Sequence, residues 1–315
     1  MDARNAEIVV GVDGSEQSLG ALHWAAREAR RRGAPLHMVT AYSVPVIGGS
    51  TFDAGHAAYD DAAVSRALED LVASARRSVA GLGVDIRSTV EAGDPSGVLL
   101  ELSRCAQLLV LGSRGKGGFL GRLLGSVSTA VPAHSECPVG IIPLGWGRDC
   151  QLTENLNRRQ AFVDGVTVGS DGSDHASAAM LCAAEEAQQL GVPLTLVCAA
   201  PSETGKFGWL PAPVDFGDLR GQVRSALDAC VQWLQGHFPD LEMHGELADG
   251  APVDVLVERS AHNQLVVTGT RGRGGFTGML LGSTSQGLLH NCVGPALIVP
   301  SRDDPRLADR PDVVI

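Results

Sequence analysis

The stretch that decides the fold is written twice. Residues 108–126 read LLVLGSRGKGGFLGRLLGS, and residues 265–283 read LVVTGTRGRGGFTGMLLGS. Each opens with aliphatic residues, the pattern of a strand buried on both faces of a parallel sheet. Each then places glycines and a serine at one spacing: Gly-x-x-Gly, nine residues, Gly-Ser. The positions are Gly112, Gly115, Gly125 and Ser126, then Gly269, Gly272, Gly282 and Ser283. A second pair, IVVGVDGS at 8–15 and VTVGSDGS at 166–173, repeats at nearly the same offset. The whole unit is therefore duplicated.

Working outward, copy one predicts strands over 7–13, 36–41, 84–90, 108–112 and 139–143. Helices are expected from Ser15, over about 60–80, over 95–106 and over 126–134. Ser15 is a suitable N-cap, and Gly33 and Pro35 end the first helix. Copy two predicts strands over 165–171, 194–199, 241–247, 265–269 and 296–300, with helices from Ser173, over about 217–236, from Pro252 and over 283–291. Strands alternating with helices imply right-handed crossovers and parallel sheets. The expected fold is α/β: two tandem doubly wound domains, each a five-stranded parallel sheet of Rossmann-like type. The divisions are 1–145, a polar linker 146–160, 161–301 and a tail 302–315. Strand five of each copy would be a sheet edge, a pairing hazard.

Composition narrows the function classes. The 315 residues carry a formal net charge of -11 with 44% hydrophobic and 4% aromatic residues. An acidic chain without a long basic run repels a phosphate backbone, which argues against nucleic-acid binding. The clusters Arg30–Arg31–Arg32 and Arg158–Arg159 read as solvated helix end and linker. No apolar run suits a membrane span, and no signal core opens the chain, so a cytoplasmic protein is expected. Of seven cysteines, Cys105, Cys137, Cys182, Cys198, Cys230 and Cys292 lie in apolar runs and read as buried, reduced thiols, while Cys150 lies in the polar linker. The histidines show no metal-ligand spacing; His134 and His290 end helices, where a cation suits the dipole.

The glycine loop has a chemical reading. Gly112 closes a strand and lets the chain turn. Gly115 can take positive φ, which favours backbone N–H groups converging on an anion. Gly125 allows close approach, and Ser126 begins a helix whose free N–H groups and dipole favour a phosphate. Asp13 and Asp171, at the end of strand one in each copy, sit near the expected ligand crevice. Each can accept from a base amino group or a ribose hydroxyl, or else form the turn that starts helix one.

On these motifs both halves resemble universal stress protein domains, and the whole resembles the actinobacterial tandem type. In that family this glycine spacing marks an ATP-binding subgroup. The resemblance implies ATP, with or without Mg2+, in each half. It implies that Asp13 and Asp171 lie at the adenine end, and that Ala41 and Ala199 offer backbone groups to the base. Gly112, Gly115, Gly125, Ser126 and Val127 would surround ribose and phosphates, as would Gly269, Gly272, Gly282, Ser283 and Thr284. Arg114 and Arg271 would neutralise phosphate charge or be solvated loop residues. Ser128 and Ser285 read as capping or packing residues. The two halves would pair through their fifth strands, and homodimerisation of the chain is left open.

Other chemistries lack their residues. There is no Walker A loop, no dinucleotide fingerprint after strand one and no Gly-x-Ser-x-Gly elbow. No dedicated base for hydrolysis is visible. Three readings stand: a nucleotide-binding regulatory or stress-response protein, a slow ATPase or related adenine-nucleotide enzyme, and a partner-binding scaffold with vestigial loops. The third would use the divergent stretches 44–60 and 201–218, the latter carrying Phe207, Trp209 and Phe216. The departures between copies are Ser170 for Val12, which loosens strand one of copy two, and Arg273 for Lys116.

Overall fold

The computed structural model describes residues 6–43, 61–115, 124–144, 146, 165–200, 216–273 and 281–313. Lys116, Cys150, Arg158, Arg159, Phe207 and Trp209 lie outside the described residues, as does most of the linker. Copy one runs β1 (Ile8–Gly11), α1 (Glu16–Arg32), β2 (Leu36–Tyr42), α2 (Asp61–Val79), β3 (Ile86–Ala92), α3 (Pro95–Ser103), β4 (Leu108–Gly112), α4 (Ser126–His134) and β5 (Val139–Ile142). Copy two runs β6 (Val166–Gly169), α5 (Asp174–Leu190), β7 (Leu194–Ala200), α6 (Phe216–His237), β8 (Met243–Asp249), α7 (Pro252–His262), β9 (Leu265–Gly269), α8 (Ser283–Asn291) and β10 (Ala296–Val299).

Local chemistry sets the helix ends. Ser15 caps α1 by accepting from the N–H of Ser18 at 3.2 Å. Gly33 ends it at φ 62, a left-handed conformation that costs glycine little. Ser173 and Gly191 do the same for α5. The expected third strands are displaced: β3 and β8 begin two residues later than hydropathy indicated. They flank the sheet, and half-exposed edge strands lack the continuous apolar run that locates the others.

The ten strands form one sheet in the order β3-β2-β1-β4-β5-β10-β9-β6-β7-β8. Every pairing is parallel except the central one. There β5 and β10 lie antiparallel, with Gly140 opposite Leu297. The fifth strands are thus not edges: each closes the other, and β3 and β8 take the edge positions. One buried layer runs through both halves, from Leu22 and Ala25 of α1 to Met180 and Leu181 of α5. Each such fully buried leucine contributes about 1.5–3 kcal/mol by leaving water.

Arg31 and Arg32 are not a solvated helix end. They reach across to copy two, where Arg31 meets Glu186 at 2.8 Å and Gln189 at 3.0 Å. Arg32 bonds Glu186, Glu28 at 2.6 Å and Gln107 at 3.1 Å. Burial raises the Glu28 carboxyl, but Arg32 and Arg31 outweigh it and hold Glu28 below the ordinary range. For Glu186 burial wins and its carboxyl is pushed up, with Glu28 adding to the push.

The tail after Ser301 is also built in. A short 3-10 turn, Pro305–Asp309, packs Leu307 against the core, and Trp233 Nε1 donates to the Arg306 carbonyl at 3.2 Å. Cys105 is exposed, against expectation, because it follows α3 on a turn. The other described cysteines are buried, and burial pushes the Cys137 and Cys198 thiols up to about 11. Among the described residues, no helix is long and apolar enough to cross a membrane.

Candidate functional site

A doubly wound sheet opens a crevice where its strand order reverses. In copy one that point lies between β1 and β4, and in copy two between β6 and β9. Three segments converge there: the turn after the first strand, the glycine loop after the fourth, and the N-terminus of the helix that follows.

The turn comes first. Asp13 Oδ1 accepts from the N–H of Ser15 at 2.9 Å, and Asp171 Oδ1 accepts from Ser173 at 3.0 Å. This is the turn that launches α1 and α5. Its positive φ falls on Gly14 and Gly172, at 77 and 74. Gly115 and Gly272 do not use the positive φ open to glycine. Their glycine is explained by crowding instead: a side chain on either would collide with Oδ2 of Asp13 or Asp171. The acid and the loop are therefore in contact. In copy two the N–H of Arg273 adds a bond to Asp171 Oδ2 at 3.0 Å.

Close packing also explains Gly112 and Gly269. A Cβ on Gly112 would lie 2.7 Å from the backbone carbon of Gln17, and one on Gly269 2.7 Å from the His175 oxygen. The strand end thus seats against the first helix. Ser128 Oγ donates to the Gly112 carbonyl at 2.7 Å, and Ser285 Oγ to Gly269 at 2.7 Å. These hydroxyls tie the third segment to the strand, in keeping with a packing role.

Gly125 and Gly282 differ in kind. They are the N-caps of α4 and α8, at φ -68 and -70, and neither helix has a side-chain cap. An added Cβ would meet nothing closer than 3.5 Å at Gly125 and 3.4 Å at Gly282, ordinary contact distances. The fold itself does not demand glycine at either position. Ser126 and Ser283 are the exposed first residues of their helices, with N–H groups that lack intrahelical partners.

Asp13, Ala41, Gly112, Arg114, Gly115, Gly125, Ser126 and Val127 all line a single cavity of about 510 Å³. Sequence reasoning missed its apolar wall: Val39, Leu99 and Leu111 face the same space. They read as ordinary core, and hydropathy cannot separate a cavity wall from a packed interior. In copy two the contacts of Gly272 and Gly282 gather Asp171, Arg271 and the loop in the same way. Ala199 lies on β7 as Ala41 lies on β2, and Thr284 follows Ser283 on α8. Arg271 is exposed where Arg114 is half-buried. Burial, then the charge of Arg271, lowers the His175 ring below its ordinary pKa.

With this geometry in place, the comparisons with known proteins are specific. The model of the universal stress protein family matches residues 5–143 and 164–300. Universal stress protein Rv1996 of Mycobacterium tuberculosis is 31% identical over 319 residues, covering 96% of this chain and 97% of that protein. Universal stress protein Rv2005c of the same organism is 32% identical over 296 residues, covering 92% and 96%. The crystal structure of a universal stress protein from Archaeoglobus fulgidus DSM 4304 has the same fold, with a TM-score of 0.66 at 22% identity. It covers 96% of this chain and 98% of its own.

Proposed function

The chain belongs to the universal stress protein family, and on that premise we propose that each half binds ATP, with or without Mg2+, as a regulatory or stress-response signal. The observation that carries the reading is the pair of helix N-termini at Gly125 and Gly282. Each is capped by a glycine that the fold does not require, and each helix has no side-chain cap on its first-turn N–H groups. Such a terminus, with its dipole, favours a phosphate group.

The rest of the cavity suits the remainder of a nucleotide. Its volume, about 510 Å³, lies within the usual range for small-molecule sites. Val39, Leu99 and Leu111 offer an apolar wall for a base, with Ala41 beside them. Half-buried Arg114 is placed to offset phosphate charge. Asp13 is held by the Ser15 N–H and packed against Gly115, which supports a structural and binding role over that of a general base. Binding without fast turnover is therefore favoured. Homodimerisation would use surfaces other than β5 and β10, whose edges are already paired.

Calorimetry on the whole chain tests this. Two equivalents of ATP are expected. Gly125→Ser and Gly282→Ser should each remove one equivalent, because the new hydroxyl caps the helix and competes for the same N–H groups. Both variants should keep or raise the unfolding midpoint. ATP turnover should stay well below ~1 per second, the low end of ordinary enzyme rates. The proposal fails if the chain binds no ATP, or if the double variant binds as the parent does.

A further inference from the structure

Resting on that reading of the first site, we propose that copy one accepts an adenine nucleotide whose terminal phosphate carries an apolar tail, and that the tail lies in a groove between the two halves. The groove has a volume of about 410 Å³. Arg114 and Leu124 line both it and the first cavity, so the two spaces adjoin at the phosphate side. Copy one contributes Leu144 and copy two contributes Val257, Leu289 and Val293, with the polar Ser113, His290 and Asn291 completing the lining.

Leu124, Leu289 and Val257 pack on core clusters, but the exposure of Leu144 and Val293 is not explained by folding. Leu144 is 48% exposed and Val293 55% exposed, two of the three large hydrophobic side chains left exposed among the described residues. The duplication supplies an internal control. Strands β4 and β9, and helices α4 and α8, align the copies position by position. Leu144 then corresponds to Ser301, and Val293 to Glu136. At the equivalent place beside the second site, Glu136 is exposed and paired with Arg104 at 3.2 Å. The same architecture therefore tolerates serine and glutamate there, and only the groove beside the first site is apolar at both positions.

Chemistry then fixes the kind of ligand. A charged or polar extension would gain nothing from Leu124, Leu144, Leu289 and Val293. A methylene chain would gain roughly fourfold in affinity for each group it buries. The nucleotide end would stay in the first cavity, with Arg114 at the junction.

The test compares two esters of ATP at the terminal phosphate, methyl and n-hexyl, which carry equal charge. On the whole chain, one equivalent of the hexyl ester should bind at least about tenfold tighter than the methyl ester, corresponding to burial of two or more methylenes. The double variant Leu144→Ser/Val293→Thr replaces the two exposed apolar side chains with neutral polar ones of equal or smaller size. It should abolish that preference while leaving methyl-ester affinity unchanged. Equal binding of the two esters by the parent chain overturns the groove proposal alone, as does a hexyl preference that survives the double variant. Failure of ATP and both esters to bind overturns the nucleotide reading as well.

Discussion

The two crevices share a frame and differ in their linings. Asp13 and Asp171 make the same turn, and Gly115 and Gly272 are glycine for the same carboxylate contact. Gly112 and Gly269 admit the same helix backbone. Around that frame the duplicated positions diverge: Val12 becomes Ser170, Ser18 becomes Ala176, Leu111 becomes Thr268 and Gln17 becomes His175. Positions fixed by backbone contact are retained, while positions that set wall polarity are not. The first site is the more apolar at Val12 and Leu111 and the more polar at Ser18, and the sites are expected to bind with unequal affinity.

The sharpest difference between the copies lies where they meet. Copy one supplies Arg31 and Arg32; the equivalent residues of copy two are Gln189 and Leu190. Each copy supplies one buried glutamate, Glu28 at 5% and Glu186 at 4% exposure. The charges balance only when copy one faces copy two, since two second copies would bury two carboxylates with no cation. Giving copy one the residues of copy two breaks this arrangement. Arg31→Gln/Arg32→Leu should cost about 3–5 kcal/mol at neutral pH, the penalty for stranding buried charge. Denaturant unfolding would measure it. The loss should shrink as pH falls and the glutamates take up protons. A variant as stable as the parent would show that the network does not hold the halves together.

A smaller effect is expected inside copy two. Ser170 Oγ is buried and has no hydrogen-bond partner among the described residues. Its counterpart, Val12, is 3% exposed and packs in the core layer. Ser170→Val should therefore stabilise the chain by about 1–2 kcal/mol, near the desolvation cost of an unsatisfied hydroxyl. With Thr268→Leu, Ala176→Ser and Thr284→Val added, the second site acquires the lining residues of the first. Two-site calorimetry should then show the two ATP affinities converge. Affinities that stay apart would place the difference elsewhere, with Arg114 and Arg271 the next pair to exchange.

Much of this was legible in the sequence because the signals were local. Aliphatic runs located β1, β4 and β9, the repeat located β6, serine and glycine marked both ends of α1, and Ser173 marked the start of α5. The edge position expected of β5 and β10 marked them as strands needing partners, and the family resemblance implied that they pair with each other. The edge strands were shifted by two residues because Ile86–Ala92 and Met243–Asp249 alternate weakly between half-buried and exposed positions. The Arg31–Arg32 contact could not be read at all, since a charged triplet at a helix end looks the same whether solvent or another domain faces it. For the site, spacing identified the right glycines but not their reasons. Crowding by Asp13 and Asp171 is a contact between segments about a hundred residues apart, and no local pattern encodes it.

The smallest expected effect is a pH response of β2 and β3 in copy one. His37 of β2 is 1% exposed, with Nε2 at 2.8 Å from Thr89 Oγ1 and Nδ1 at 3.1 Å from Glu7. Burial lowers its pKa below the ordinary 6.5; Glu7 works against that shift and Arg87 adds to it. In copy two the position is Thr195, which bonds an exposed His244 of β8 at 3.2 Å. The unfolded chain takes up a proton on the His37 ring near pH 6.5, whereas the folded chain does so only at lower pH. Stability from this ring is therefore full above 6.5 and declines as pH falls below it. Amide exchange, corrected for its intrinsic pH dependence, should show β2 and β3 losing protection between pH 7.5 and 5.5 while β7 and β8 hold theirs. His37→Gln should remove the difference, since an amide keeps hydrogen-bonding capacity without titrating. If β7 and β8 lose protection in parallel, the response belongs to the joined sheet as a whole and the two copies are not independent in stability.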